Sequence, residues 1–573
     1  MDKNEYATKM KQLLTSDKTY VTVDKDPTSS FQTKNNSIVR RLQDLKLIDT
    51  RTAMKLRTYK AVCPKIYGQP KAHKAGLPLR PVVPCMTAPS YELSKFVGSI
   101  LRKSLTSKYN IKDSFEFCQY VNNICLPTGH ILVSFDVVSL FTSIPKELVR
   151  HSIFRRWNDI ENHTPICLDL FWEITEFCID CSYFSFEGAY YIQKFGTAMG
   201  NPLSPIIADL VMEDILDEAI SKTSCVIPFI KKYVDDLFLV LPPDKVQDVV
   251  NTFNEVNQNI QFTLEIKEGR RLPFLDMALI RQEDDTVKTE WYCKSIASGR
   301  FLNFHSGHPM HQKMNVAQNF VKRVMVFSTN LDLKRKREIV HRHLKANDYP
   351  KCLINRLINR AKHQTVNNNT AMDVSRTETE TETHQDEMKF YSLTNIDGLT
   401  QQITKTLKRD YPGIKIANRQ HKTIGSLLPS VKDKTPNTEQ SNVVYKIDCA
   451  DCEACYVGMT STKLKQRISG HRSNLKKLKT LLDKGYTNED AEVSWVREKT
   501  ALVNHAATMD HNFKLDETNI IDRTFKTNNL HILESCHIYN TNNTVNKRTD
   551  TDNLHVAYAG LLHLLKNETT NRR

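Results

Sequence analysis

The spacing of apolar residues changes several times along this chain, and each change marks a part of it. Over residues 1–60 apolar positions are sparse and fall at helical intervals (Ile38, Leu42, Leu45, Leu47), which predicts an N-terminal helical region. From about Pro64 to Arg300 the texture is mixed. The apolar runs ILVSFDVV (131–138), YYIQKF (190–195) and KYVDDLFLVL (232–241) read as strands, alternating with helical stretches such as Pro205–Ala219 and Lys245–Val256. Residues 301–363 return to helical spacing and are basic. Residues 364–388, which include TETETET (377–383), have too little apolar content to pack and are expected to form a disordered acidic linker. A connector over 389–442 follows, then a region rich in cysteine and histidine over 443–560, and a tail over 561–573.

Two of the strand-like runs carry acids where acids are expensive. Asp235 and Asp236 stand side by side inside an apolar run, and Asp136 interrupts another. Buried carboxylates need a cation or polar partners. Neighbouring side chains on a strand face opposite ways, so a tight turn would best let Asp235 and Asp236 approach one ion. Aspartates that hold divalent ions can align a 3′-hydroxyl and stabilise a leaving pyrophosphate oxygen.

Charge narrows the partners. The 573 residues hold 80 Lys and Arg against 65 Asp and Glu, a net charge of +15. Three stretches hold no acid at all: Arg51–Tyr91, Trp291–Leu331 and Lys463–Lys479. Together they favour contact with a phosphate backbone. No apolar run approaches the roughly 20 residues that span a bilayer, and the N-terminus lacks a signal-peptide core, so no membrane partner is expected. The 14 scattered cysteines suit a reducing compartment. Cys178 and Cys181 lack a second ligand pair and read as core.

FDVVSLF (135–141), GTAMGNPLSP (196–205) and YVDD (233–236), in that order, resemble the palm motifs of reverse transcriptases, and PKIYGQPKAHKAGLPLRPVV (64–83) resembles the fingers motifs that precede them. With LPFLD (272–276) and FLNFHSGHP (301–309), the chain from about 60 to 560 is most similar to the reverse transcriptases of Penelope-like retroelements, which are allied to telomerase. The resemblance implies an α+β architecture, with right-hand fingers and palm over 61–300 and a thumb over 301–363. It implies that Asp136 and Asp235 bind two Mg²⁺ ions, that Asp236 completes the carboxylate set, and that the Val137 carbonyl adds a ligand. Phe141 would lie under the incoming sugar and clash with a 2′-hydroxyl, making the product DNA. Lys71 and Arg80 would grip the dNTP triphosphate, where a guanidinium fork and an ammonium suit phosphate oxygens. Gly200 would admit the nascent pair to the backbone, Lys267 would donate a proton to pyrophosphate, and Phe301–Met310 would support the primer terminus.

VVYKIDCADCEACYVGMTSTKLKQRISGHRSNL (443–475) resembles the start of a GIY-YIG endonuclease, with VVY and YVG in place of the two triplets. Arg467 and His471 are four apart, on one face of a helix. The resemblance implies a small, separate α/β endonuclease domain with Tyr445, Tyr456, Arg467, His471, Glu534 and Asn546 as catalytic residues, Glu534 holding one Mg²⁺. Cys449-x-x-Cys452-x-x-Cys455 lies between the tyrosines and His505-x5-His511 follows. Such spacing is a zinc signature when both pairs exist. Penelope-like endonucleases resemble this pattern, and Cys449, Cys452, His505 and His511 would hold a structural Zn²⁺ as an insert, leaving Cys455 a spare thiol or a substitute ligand.

The function so implied is target-primed reverse transcription. The C-terminal domain nicks target DNA, and the freed 3′-hydroxyl primes cDNA synthesis on the element's own template RNA. The alternative is a telomerase-like enzyme that extends DNA 3′ ends already present, its C-terminal module serving only to dock DNA. Either would work in the nucleus, and the tetrad Lys334–Arg337 is a nuclear-localisation signal, an exposed helix face or an RNA contact.

Overall fold

A computed structural model of the protein describes all residues except 16–18, 73, 75, 266–270, 371–389, 397, 421–423, 428–431, 488, 525–526, 552–553, 556–557, 559, 561 and 564–573. Lys267 and most of the expected acidic linker therefore lie outside the described residues. The chain divides into two compact units, one of residues 1–24, 65–86 and 93–431, the other of 25–64, 87–92 and 432–573.

At the centre of the first unit is a four-stranded antiparallel sheet, ordered Ile230–Tyr233, Asp236–Leu241, Ile131–Val137, Phe262–Glu265. Its two middle strands are the apolar runs, and aromatic rings cover both faces. On one face Phe135 meets Phe253 of helix Val246–Val256 edge-on at 5.6 Å, and Phe253 meets Phe262 at 5.4 Å. On the other, Phe238 meets Phe117 of helix Ser114–Asn122 at 5.2 Å and Phe274 at 5.9 Å. Asp136 pairs directly with Asp236, and Ser134 with Phe238. Side chains alternate along a strand, so both aspartates share the Phe238 face, at the end of the two strands.

The expected helix at Pro205–Ala219 is Ser204–Lys222, with Pro205 in its first turn, where a missing N–H costs nothing. Fingers motifs fold as the hairpin Tyr67–Pro70 and Leu79–Val82, while LPFLD lies at the first turn of the sheet Arg271–Phe274, Met277–Arg281, Val287–Trp291. Helices Met310–Phe327, Leu333–Lys345 and Lys351–Thr370 pack around Phe320, Val324, Val340, Leu344, Ile354 and Ile358. The tetrad Lys334–Arg337 lies in the second of these, with Lys336 half-buried and its Nζ donating to the Met325 carbonyl at 3.2 Å. The N-terminal region is not wholly helical. Tyr20–Val23, a β-branched run, is a strand paired antiparallel with Ala189–Gln193. In the connector, strands Phe390–Thr394 and Lys415–Arg419 pair in parallel around helix Leu399–Asp410.

In the second unit, helices Thr28–Asp44 and Thr50–Leu56 come from the N-terminal region. The three-stranded sheet Cys455–Thr460, Val443–Asp448, Asn519–Arg523 carries Tyr445 and Ile447 in one core with Leu464, Ile468, Val493 and Leu502. Val444 and Val457, pointing the other way, pack with Leu530 and Ile538 of helix Leu530–Asn540. No helix among the described residues is long and apolar enough to cross a membrane.

Candidate functional site

Tyr233 pairs with Asp236, so Val234 and Asp235 alone make the turn between their strands. Val234 adopts φ 58°, a left-handed conformation that β-branched residues resist, at a cost of about 1–3 kcal/mol. The strain places Asp235 at the tip of the hairpin. The Asp235 carbonyl accepts from the Val137 N–H at 3.2 Å, which ties the tip to the end of the Asp136 strand. Burial, with Asp235 and Glu265 nearby, pushes the Asp136 carboxyl up. Burial, together with Asp235, Asp136 and Glu265, pushes Asp236 up to about 6.

Positive charge faces them from the fingers hairpin. Lys71 sits below its usual range through burial and its neighbours Lys74 and Arg80, while Asp136 and Asp235 act in the opposite sense. Lys74 likewise favours the ionised form of Asp136. Sequence reasoning named Lys71 and Arg80 but missed Lys74, and it missed Glu265, which pairs with Ser134 on the edge strand. It also missed Lys232, whose side chain is fully buried and whose Nζ lies 2.6 Å from Asp209 of helix Ser204–Lys222. That ion pair anchors the strand leading into the Val234 turn.

Gly200 has φ 119°, and a Cβ there would lie 2.1 Å from the Val83 carbonyl oxygen, so the close approach is to the chain's own backbone. The Val83 N–H donates to Met199 at 2.8 Å, joining the fingers strand to this turn. The same turn reaches Phe141, whose carbonyl accepts from the Thr197 N–H at 2.6 Å and hydroxyl at 3.1 Å. The Phe141 ring is half-buried, on the short helix that follows Asp136. Phe301 and Phe304 donate their N–H groups to Asn347, which fastens the segment 301–310 against the turn that follows helix Leu333–Lys345. Asp276 of LPFLD pairs with Arg323 of helix Met310–Phe327.

The second unit gathers another cluster. Tyr445 pairs with Gly458, so Tyr445, Tyr456 and Gly458 share a face. A Cβ on Gly458 would lie 2.7 Å from both the Tyr445 hydroxyl oxygen and Tyr456 Cε1, so the glycine of YVG makes room for both rings. Helix Leu464–Asp483 presents Arg467 and His471 to that face. Arg467 Nε donates to the Tyr445 hydroxyl at 3.1 Å, and the hydroxyl lies 2.8 Å from His471 Nε2. His471 is buried, its Nδ1 has no partner, and burial beside Arg467 pulls its pKa down to about 4. The ring is therefore held in its neutral form. Burial pushes Glu534 up to about 7, against a bond from the Met459 N–H. Asn546 is tied to the strand that carries Tyr456. Its Oδ1 accepts from the Val457 N–H at 2.9 Å and its Nδ2 donates to the Val457 carbonyl at 2.8 Å. It holds the backbone between Tyr456 and Gly458.

Cys449, Cys452, His505 and His511 converge, their ligand atoms all within 4.8 Å of one another. Thr500 caps the helix that carries His505, and Asp510 at φ 54° turns the chain so that His511 comes back beside it. Two thiols and two imidazoles in this arrangement suit a tetrahedral metal with no open position. Cys455 stands apart, its Sγ 3.7 Å from the Asn542 carbonyl, so it is a spare thiol. Cys178 and Cys181 are buried core residues, as expected. Asp136, Asp235 and Asp236 do not close as a set to the separation of the Cys–His group.

The family described as the Animal helix-turn-helix domain matches residues 300–359, which hold helices Met310–Phe327 and Leu333–Lys345. No curated protein matches the chain. Similar solved structures include Candida albicans telomerase with a TWJ fragment of telomeric RNA, at 12% identity over 64% of this chain and 70% of that one, TM-score 0.38. Apo telomerase from Candida tropicalis is 10% identical over 61% of this chain and 65% of that one, TM-score 0.33. The Sicinivirus 3Dpol RNA-dependent RNA polymerase is 13% identical over 50% of this chain and 64% of its own, TM-score 0.35.

Proposed function

We propose that the chain is an RNA-directed DNA polymerase coupled to a DNA-nicking endonuclease, of the Penelope-like kind, carrying out target-primed reverse transcription in the nucleus. One observation carries the reading: carboxylates at a strained hairpin tip and its neighbouring strand, electrostatically opposed by Lys71 and Lys74. An enzyme that joins a 3′-hydroxyl to a triphosphate needs this division of charge.

Asp136, Asp235 and Asp236 would hold two Mg²⁺ ions, which would activate the 3′-hydroxyl and stabilise the pyrophosphate oxygen. Lys71 and Arg80 bind the triphosphate from the fingers side, and the half-buried Phe141 ring excludes a 2′-hydroxyl, so dNTPs are the substrates. In the endonuclease, neutral His471 and Tyr445 form a hydrogen-bonded pair that can take the proton of an attacking water. Arg467 neutralises the scissile phosphate, and Glu534 would hold a single Mg²⁺. The Cys–His set would hold Zn²⁺ as a structural staple. Template RNA, primer DNA and target DNA are the partners.

The test uses full-length protein with primer extension and supercoiled-plasmid nicking run in parallel. Asp235→Ala should abolish dNTP incorporation and spare nicking; retained synthesis would refute the polymerase assignment. Glu534→Ala should abolish nicking and spare extension of a pre-annealed primer. Unchanged nicking would reduce the C-terminal module to DNA docking, leaving a telomerase-like extension of existing ends.

A further inference from the structure

The connector between the two catalytic regions is more than a tether. Strands Phe390–Thr394 and Lys415–Arg419 pair in parallel with Phe390 beside Lys415, Ser392 beside Ala417 and Thr394 beside Arg419. Paired residues of a parallel ladder project to the same side, and alternate residues along each strand do likewise. These six side chains therefore form one face, and all six are exposed. The opposite face holds the exposed Tyr391 with the half-buried Leu393, Ile416 and Asn418, and helix Leu399–Asp410 packs against the Lys415–Arg419 strand. Parallel sheets are ordinarily covered on both sides, so a bare face asks for a partner.

Its composition states which. Phe390 is 54% exposed at one end of the face, which leaves its ring open to stacking. Lys415 and Arg419 flank the platform, no acid lies on it, and neither cation has an ion-pair partner among the described residues. The positions between are Ser392, Thr394 and Ala417, small enough to leave the surface flat. A flat sheet face that combines an exposed ring, small residues and unopposed cations matches unpaired bases, which stack on the ring while their phosphates meet the cations. Duplex nucleic acid hides its base faces and would leave the ring without a partner.

We infer that this open face is a platform for single-stranded RNA, with a base stacked on Phe390 and phosphates on Lys415 and Arg419. The choice of RNA rests on the proposed function, in which the template is the long single strand. The platform would hold template outside the polymerase cleft.

The experiment is photocrosslinking of full-length protein to a short single-stranded RNA carrying 4-thiouridine, with the cleft saturated by a pre-annealed primer–template. Crosslinked peptides within residues 389–419 are expected. Phe390→Ala should weaken binding of this RNA about tenfold and remove those crosslinks, while Phe390→Trp should retain them. Lys415→Gln with Arg419→Gln should flatten the salt dependence. All these variants should extend a short pre-annealed primer like the parent chain. Absence of crosslinks in 389–419, or a yield unaffected by Phe390→Ala, overturns the proposal. Equal or stronger crosslinking of single-stranded DNA there overturns the assignment to RNA. A chain that fails to extend primers yet crosslinks RNA at Phe390 refutes the polymerase reading and supports the platform.

Discussion

Removing one thiol from the Cys–His cluster should release a metal and loosen the fold that carries the nuclease residues. Tetrahedral zinc with Zn–S of about 2.3 Å and Zn–N of about 2.0–2.1 Å requires S···N edges of about 3.6 Å and an N···N edge of about 3.3 Å. The cluster has S···N separations of 3.7, 3.6 and 3.6 Å, and His505 Nε2 lies 3.2 Å from His511 Nδ1. These four edges match zinc, and all four ligand atoms lie within 4.8 Å of one another. The clip closes a loop between Cys449 and His511, 62 positions apart. By the chain-entropy relation for a crosslink of that length, closing it is worth on the order of 4 kcal/mol. Cys452 is the informative position because it is exposed, so Cys452→Ser removes a ligand without opening a cavity. Full-length protein purified without chelator should contain zinc, and Cys452→Ser should lose most of it. Urea unfolding followed by Trp495 fluorescence should show a loss of about 4 kcal/mol, reproduced in the parent by chelation. Cys455→Ser should keep the metal. A metal-free parent, an unchanged Cys452→Ser, or equal metal loss in Cys455→Ser would refute the assignment.

Two further perturbations probe the catalytic clusters. Asp236 is held near 6, above the ordinary aspartate value of 3.8, so in metal-free protein its ionisation opposes folding: the penalty is absent below about pH 4 and complete above about pH 6. Asp236→Asn should therefore stabilise metal-free protein at pH 7 by about 1 kcal/mol after solvent screening, and by nothing at pH 4. Thermal melts at the two pH values check this, and equal shifts at both would refute it. Gly458→Ala pushes a methyl against both tyrosine rings at 2.7 Å, an overpacking cost of about 1–3 kcal/mol. It should cripple plasmid nicking while leaving primer extension intact, and unchanged nicking would show that the ring positions do not matter.

What could be read from the chain, and what could not, follows the range of the interactions. Asp136 and Asp235–Asp236 announce themselves because carboxylates interrupt apolar strands, and the turn at Val234 follows from their adjacency. Arg467 and His471 are equally local, four apart on one helix. The same logic stops at Gly200. The residue type says that something approaches closely, but only the tertiary fold shows that it is the Val83 carbonyl. Asn546 is a related case. An amide can serve a substrate or a backbone, and both its polar atoms turn out to face Val457, 89 positions away. Lys74 and Glu265 carry no local signal, since one lies in a basic run and the other on an edge strand. Both matter only because hairpin and sheet bring them toward Asp136. Lys232 reads as one of two lysines before a motif, yet it is the buried one, because its pairing partner Asp209 lies on the helix packed beneath it. The connector is the extreme case. Its two strands are five residues each and gain their meaning only from parallel pairing across an intervening helix, which leaves one face bare. Chemistry that needs strain or burial is written locally in this chain, whereas chemistry that needs opposed charge or an open face is written in the pairing of distant segments.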